Sequence, residues 1–351
     1  MAIEKRKTCM VYYDPLNMKP VAPAEVTLPE MNRRKVMGWM AAAGSSIALL
    51  PGMSHAQMGG DIFTLLVPFS PGSPPDVFSR LFAEKLSKRM GRPVVVSLKP
   101  GASTTIGTTL ASRAKPDGKM MLYATNSSIT AAPGLFKNLQ YDPEKDFSAV
   151  TVMLESVFCI LVRPEDARLG VEGLAKRIRA NPPDNGMGGG STTAEVAHRL
   201  FEQAIGVTYP YARYNSNTLY TDLMGKVLHA AWCPMSTALN FGQKNNLHIM
   251  AITGAKRLPQ FPNIPTIAET FPSVAVDSWS GFFVPSGTPR SIVDKLWEDV
   301  HAALLDPDIV ERGRSEGNRA LNLNPQQSDE YVKKDFPKWR ALFKSANIEP
   351  A

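Results

Sequence analysis

The chain has 351 residues, 44% of them hydrophobic and 20% charged, with a mean hydropathy of −0.15. That is the composition of a globular protein, long enough for two lobes, and not of a disordered or membrane-embedded chain. The formal charge is +7, but residues 1–56 hold seven Lys/Arg and four Asp/Glu, so the remainder carries 32 against 28; with no Lys/Arg cluster interleaved with aromatics, no nucleic-acid partner is expected.

Met31-Asn32-Arg33-Arg34-Lys35 and the apolar residues 36–50 read as the basic and apolar regions of a signal peptide, and Ser54-His55-Ala56 supplies a small-x-small cleavage site before Gln57. Arg33-Arg34 hints at the twin-arginine export route. About 15 apolar residues fall short of the ~20 that span a bilayer, and no later run is longer. The mature product is therefore expected to be exported to the periplasm and soluble. Met31 reads as the true start, residues 1–30 as a gene-model extension and 31–56 as the signal peptide. Cys9 falls in this leader. Cys159 and Cys233 lie in apolar strand-like runs and read as two buried thiols, with a disulfide left open by an oxidising compartment.

In chain order, Phe63 to Val67 is a short apolar run of the buried parallel-strand kind. It breaks into Pro68-Phe69-Ser70-Pro71-Gly72-Ser73-Pro74-Pro75, after which Asp76 stands as a helix N-cap before Val77, Phe78, Leu81, Phe82 and Leu86 at helical spacing. Arg92 to Leu98 is a second strand, followed by Pro100 to Gly107 and a helix to Ala114. Met120 to Ala124 is a third, and Thr125-Asn126-Ser127-Ser128 leads to another expected helix start. Three β-loop-α units imply a parallel sheet with ligands beyond the carboxyl ends of its strands. Ala149 to Val162 is long and apolar, suited to crossing between lobes. The pattern then repeats: a helix at Leu174 to Ala180, a Gly-rich turn from Gly186 to Thr193, and a helix burying Ala197, Leu200, Phe201 and Ala204. Strands follow at Val207–Tyr211, Val227–Cys233 and Ile249–Thr253. Ser280 to Pro285 is the return crossing, Pro289 starts a helix to Leu305, and Asp329 to Ser345 is a C-terminal helix expected to pack on the first lobe.

Reactive chemistry is sparse. Gly186-x-Gly188 is half of a dinucleotide fingerprint, but Ser191 stands at the third glycine position and no matched acid follows. There is no P-loop and no Gly-x-Ser-x-Gly elbow. His198, His229, His248 and His301 lack metal-ligand spacing. What remains is a set of small polar residues at strand-to-helix turns, where backbone N–H groups and the positive end of a helix dipole receive anions. Ser73, Ser103, Thr104, Asn126, Ser127, Ser191 and Thr192 belong to it. Each taken alone is first a helix cap; together, facing one another across a cleft, they make a small-ligand site.

The motifs that carry these turns resemble one family closely. They are Val67-Pro68-Phe69 with Asp76, Gly91-x-Pro93-Val94-Val95-Val96, Pro100-Gly101-Ala102, Ile106-Gly107 and Pro116-Asp117-Gly118. Later come Tyr141-Asp142-Pro143, Asp222-Leu223-Met224-Gly225, Ala255-Lys256-Arg257, Pro262-Asn263-Ile264-Pro265-Thr266, Trp279-x-Gly281 and Pro285-x-Gly287-Thr288-Pro289. In this order they resemble the solute-binding receptors of tripartite tricarboxylate transporters from about Asp61 onward. The resemblance implies an α/β, two-lobe, hinge-closing periplasmic binding protein of type II-like architecture, each lobe a mostly parallel sheet flanked by helices. Lobe 1 is expected to be 57–156 with 279–351, and lobe 2 to be 157–278.

It implies capture of a small organic carboxylate, delivery to membrane permease subunits, a monomer, no cofactor, no metal and no catalytic residue. The ligand-binding set expected is Ser73, Pro74, Pro75, Asp76, Ser103, Thr104, Thr105, Asn126, Ser127, Ser128, Gly190, Ser191, Thr192 and Arg213. The chain departs from the family at Pro74-Pro75 (usually glycine and threonine), at Glu195 (usually histidine), at Arg213-Tyr214-Asn215 (usually Tyr-Lys-Gly) and at His229 (usually aspartate). Two other readings stand beside this one: a secreted hydrolase or isomerase acting on a similar acid, and a sensory receptor for a membrane kinase.

Overall fold

Apolar residues fill β1 (Phe63–Val67), buried along its length except for partly exposed Thr64, because a strand covered on both faces has no polar side to show. A computed structural model describes residues 62–350 apart from 215 and 216. The expected extension, signal peptide and cleavage site, and Cys9, lie outside the described residues. Beyond β1 come α1 (Pro74–Met90), β2 (Val94–Leu98), α2 (Thr105–Ser112) and β3 (Met120–Thr125). Both β2 and β3 pair with β1 in parallel, so the turns that follow these strands all leave from one edge.

The next strand, β4 (Phe147–Val162), is 16 residues long, about 50 Å at ~3.3 Å per residue. After it come α3 (Gly170–Ala180), β5 (Met187–Gly189), α4 (Thr192–Ile205), β6 (Tyr211–Arg213), α5 (Thr218–Met224), β7 (Ala230–Pro234) and β8 (His248–Ile252). The chain ends with β9 (Asp277–Pro285), α6 (Arg290–Leu304), α7 (Pro307–Ser315), β10 (Arg319–Ala320) and α8 (Pro325–Ser345). Strand β5 pairs in parallel with β6 and β7, a second parallel set. The sheet order is β2-β1-β3-β9-β4-β7-β5-β6. Antiparallel β4 and β9 lie between the two sets, and β4 serves both. It pairs with β9 as far as Val157↔Asp277, and with β7 from Phe158↔Pro234.

Each set has its own core. On the first side Phe63, Leu65, Phe82, Met121 and Phe282 are buried together, with Phe82 and Phe282 stacked at 4.6 Å. On the second side Ile160, Phe201, Met187 and Trp232 form the centre of another cluster. Helix α8 belongs to both: Val332 and Phe336 join the first side, while Trp339 and Phe343 join the second. The expectation that this helix packs on the first lobe covers only its amino-terminal half. Pro337, which removes one helical hydrogen bond, falls between the two contacts.

Three local expectations are corrected. The α1 N-cap is Ser73, with Pro74 and Pro75 in the first turn, so Asp76 lies inside the helix; proline tolerates those positions because their N–H groups are unpaired anyway. The segment after β3 is a run of turns from Asn126 to Thr130, then a single helical turn at Ala132–Leu135, and not a helix start. The Gly-rich segment contains β5, the middle strand of the second set. Close packing explains the glycines. A Cβ on Gly188 would lie 2.8 Å from Leu228 and Tyr214 side chains, so only glycine fits there.

Candidate functional site

Four of the expected turns stand at the carboxyl ends of β1, β2, β3 and β5. After β1, Ser73 donates its hydroxyl to the Ser70 carbonyl at 2.7 Å. Asp76 accepts the Gly72 N–H at 2.8 Å and pairs with Arg80 at 2.7 Å. These bonds are local, and Pro74 and Pro75 remove two amide donors from the helix start. The dipole end of α1 thus already holds a carboxylate of its own.

After β2, Ala102, Ser103 and Thr104 have φ of 43°, 49° and 81°. Three successive non-glycine residues in the left-handed region store roughly 1–3 kcal/mol each, a cost that clusters at ligand clamps. Thr105 donates its hydroxyl to the Ala102 carbonyl at 2.8 Å, which helps to hold the loop. Ser103 is exposed at its tip, whereas Thr104 is buried and its hydroxyl accepts from Ser128 Oγ at 3.1 Å. That contact joins the β2 turn to the β3 turn.

The turn after β3 is the centre of the arrangement. Asn126 is wholly buried; its Oδ1 accepts from Ser278 Oγ on β9 at 2.6 Å. Its Nδ2 donates to Thr193 Oγ1 in the first turn of α4 at 3.1 Å. A residue at the carboxyl edge of the first parallel set therefore touches the helix that starts at the carboxyl edge of the second. The turn is pinned from outside as well. Tyr141 donates its hydroxyl to the Ser128 carbonyl at 2.6 Å. Asp335 of α8 accepts from Thr130 Oγ1 at 2.6 Å and from Trp279 Nε1 at 2.7 Å. Ser127 is half-buried between these anchored neighbours.

On the second side Ser191 caps α4, its hydroxyl accepting the Ala194 N–H at 3.2 Å, and Thr192 is buried behind it. Gly190 is exposed and lies against the chain leaving β6; a Cβ there would stand 3.0 Å from the Tyr214 carbonyl. Arg213, at the end of β6, is more than half exposed and forms an ion pair with Glu195 in the first turn of α4. Tyr214 donates its hydroxyl to Asp222 at 2.6 Å. The two departures from the family pattern, Arg213 and Glu195, are thus partners. Their charges cancel, and Arg213 alone gives no reason to expect a second anionic group on the ligand.

The structure joins the turns containing Thr104, Ser128, Asn126, Ser191 and Arg213 through direct contacts, while the bonds of Ser73 and Asp76 stay within their own turn. Thr193, Ser278, Thr130 and Asp335 are functional candidates absent from the expected set. Thr193 adjoins Thr192, a usable signal; Ser278 and Asp335 come from distant elements and gave none. At the opposite, amino ends of β5, β6 and β7 lies a separate hollow of about 420 Å³ lined by Met187, Tyr211, Lys226 and His229 among others.

Two parallel strand sets joined by antiparallel crossings, with small polar turns meeting at their carboxyl edges, define a solute-binding protein of the two-lobe class. Comparison places it further. The family model described as "Tripartite tricarboxylate transporter family receptor" matches residues 78–348, and the chain belongs to that family of periplasmic solute-binding receptors, which are not enzymes. It is 28% identical to a UPF0065 protein of Bordetella bronchiseptica over 287 residues, 82% of this chain and 86% of the relative. The structure of the periplasmic binding protein BugD matches with a TM-score of 0.75 and 29% identity, covering 83% of this chain and 99% of that one. That of Rpa4515 from R. palustris with adipate matches with a TM-score of 0.77 and 26% identity, covering 82% and 98%. Among the described residues no helix is long and apolar enough to cross a membrane.

Proposed function

We propose that this chain is a periplasmic receptor that captures a small organic carboxylate between its two strand sets and hands it to the membrane permease subunits of a tripartite transporter. The lobes are 57–156 with 279–351, and 157–278, and they close as a hinge about β4 and β9. The observation that carries the reading is the Asn126–Thr193 hydrogen bond. It brings the carboxyl edge of one parallel set against that of the other, where open α/β sheets bind ligands. The adipate in Rpa4515 supports a carboxylate as the ligand class. Ser103, the 126–128 turn, Ser191 with Thr192, and the Arg213 guanidinium supply hydrogen bonds to it. Ser73 and Asp76 border the site, their bonds being local.

A thermal-shift panel of mono-, di- and aromatic carboxylates tests this, with the matching neutral amides as controls. A cognate acid at a hundredfold excess over its dissociation constant stabilises the protein by about 2.7 kcal/mol through mass action, and the amide does not. Chemical turnover of any acid in the panel, or equal shifts from acid and amide, would contradict the proposal.

A further inference from the structure

Both cysteines of the described chain sit at one place. Cys159 of β4 and Cys233 of β7 are directly opposite each other in antiparallel register. Their Sγ atoms are 3.7 Å apart, and Cys159 Sγ also lies 3.5 Å from the Cys233 carbonyl. Both are buried, within a cluster that includes Leu161, Leu219, Leu223, Met235 and Ile252. Cys159 is the second residue after β4 changes partner from β9 to β7, so the pair stands where the second strand set begins. Directly opposite residues of an antiparallel pair have Cα atoms about 4.5–5.5 Å apart, within the roughly 4.4–6.8 Å that a disulfide spans, and the two sulfurs already face each other at 3.7 Å.

We propose that Cys159 and Cys233 are joined by a disulfide in the exported protein. The bond closes a loop between residues 74 apart in sequence and fixes β7 to β4 beside the crossing, which constrains the unfolded chain. The inference rests on the periplasmic reading, because that compartment supplies the oxidant: the disulfide of a thiol-exchange protein. One cysteine thiolate attacks that disulfide and forms a mixed disulfide. The second thiolate displaces it, leaving Cys159–Cys233 bonded. Two electrons and two protons end on the oxidant, which departs as a dithiol. Timing follows from burial. In the finished fold the Cys159 thiol is pushed well above its ordinary pKa by desolvation and its contact with Cys233, so little thiolate is present to attack. The bond therefore forms before β7 docks on β4, which requires export of the unfolded chain and not the twin-arginine route that Arg33-Arg34 hints at; once formed it is sealed from reductant.

The test is thiol mapping of the full chain expressed with its own leader. Periplasmic protein is quenched in acid, denatured, alkylated with N-ethylmaleimide before and after reduction, and digested. The expected result is a Cys159–Cys233 cross-linked peptide that appears as two free peptides only after reduction. Alkylation of both cysteines before reduction overturns the proposal. If the chain stays in the cytoplasm, the periplasmic reading has failed separately. The same chain, unfolded in urea and refolded in a glutathione redox buffer, then decides the pairing: the cross-link supports it, and two free thiols overturn it. A folded, reduced sample should resist the same buffer, and rapid oxidation without unfolding would refute the timing.

Discussion

Replacing Asn126 with alanine removes a side chain that reaches Thr193 from the first strand set. Asn126 is 0% exposed and Thr193 1%, and the side chain makes one bond of 2.6 Å and one of 3.1 Å. Losing two hydrogen bonds costs about 1 kcal/mol each, and stranding the buried Thr193 and Ser278 hydroxyls costs about 1–3 kcal/mol more. Asn126→Ala should therefore lower stability by roughly 3–5 kcal/mol. Thr193→Val keeps the shape but loses the inter-set bond and leaves the buried Asn126 Nδ2 unpaired, for about 2–4 kcal/mol. Urea unfolding of both single variants and the double variant isolates the shared part, expected at about 0.5–1.5 kcal/mol. A coupling indistinguishable from zero would mean that the two turns do not meet in solution, and the proposed cleft would lose its geometric basis.

Three further outcomes are expected. Gly281→Ala would place a Cβ 2.4 Å from the Thr151 carbonyl and force β9 away from β4, so its urea midpoint should fall by about 1–3 kcal/mol in stability; an unchanged midpoint would refute that close approach. His198 lies between Tyr209 and Tyr211 at 4.4 and 4.6 Å, with Glu202 3.5 Å away, and burial lowers its pKa below the ordinary 6.5. Because the unfolded chain then takes up the proton more readily than the folded one, stability is full above about pH 6.5 and declines as pH falls below it. Burial pushes Glu202 up, but nearby His198 and hydrogen bonds from Arg199 and the Tyr209 N–H outweigh it and hold the carboxyl below its ordinary value, so a second loss follows below about pH 4.3. His198→Gln should abolish the upper decline and weaken the lower one, because Glu202 loses a neighbour that holds its carboxyl down, and equal profiles for variant and parent would show that His198 does not cause the upper decline. Arg213→Ala should change stability by only a few tenths of a kcal/mol, as an exposed ion pair allows. It should weaken carboxylate binding by about tenfold if a charge-assisted bond of ~1.4 kcal/mol is lost, and calorimetry showing unchanged affinity would place Arg213 outside the site.

Strands with a continuous apolar run were legible in the sequence. Phe63–Val67 is found with the expected bounds, and β3 and β8 lie within one residue of them. Strand β5 was hidden because its three residues are Met-Gly-Gly. Their strand conformation comes from neighbours on both sides and from space for packed side chains, not from local propensity. The start of α1 was misplaced because Asp76 resembles an N-cap, whereas a prolines-first turn moves the cap back to Ser73. Thr125 to Ser128 looked like a helix start for the same reason: small polar residues fit caps and turns alike. The site was half legible. Turn residues advertise themselves, but the partners that hold them, Ser278, Tyr141 and Asp335, become neighbours only in the fold. The Arg213–Glu195 pair likewise joins residues that sequence spacing does not relate.

The most direct test of carboxylate capture between the strand sets is a crystal structure of the complex with the best acid from the thermal-shift panel. The account predicts a carboxylate oxygen about 3 Å from donors in the 103–105, 126–128 and 190–192 turns, with both strand sets contributing. An acid bound instead in the hollow beside Lys226 and His229, with those turns making no contact to it, would contradict the account.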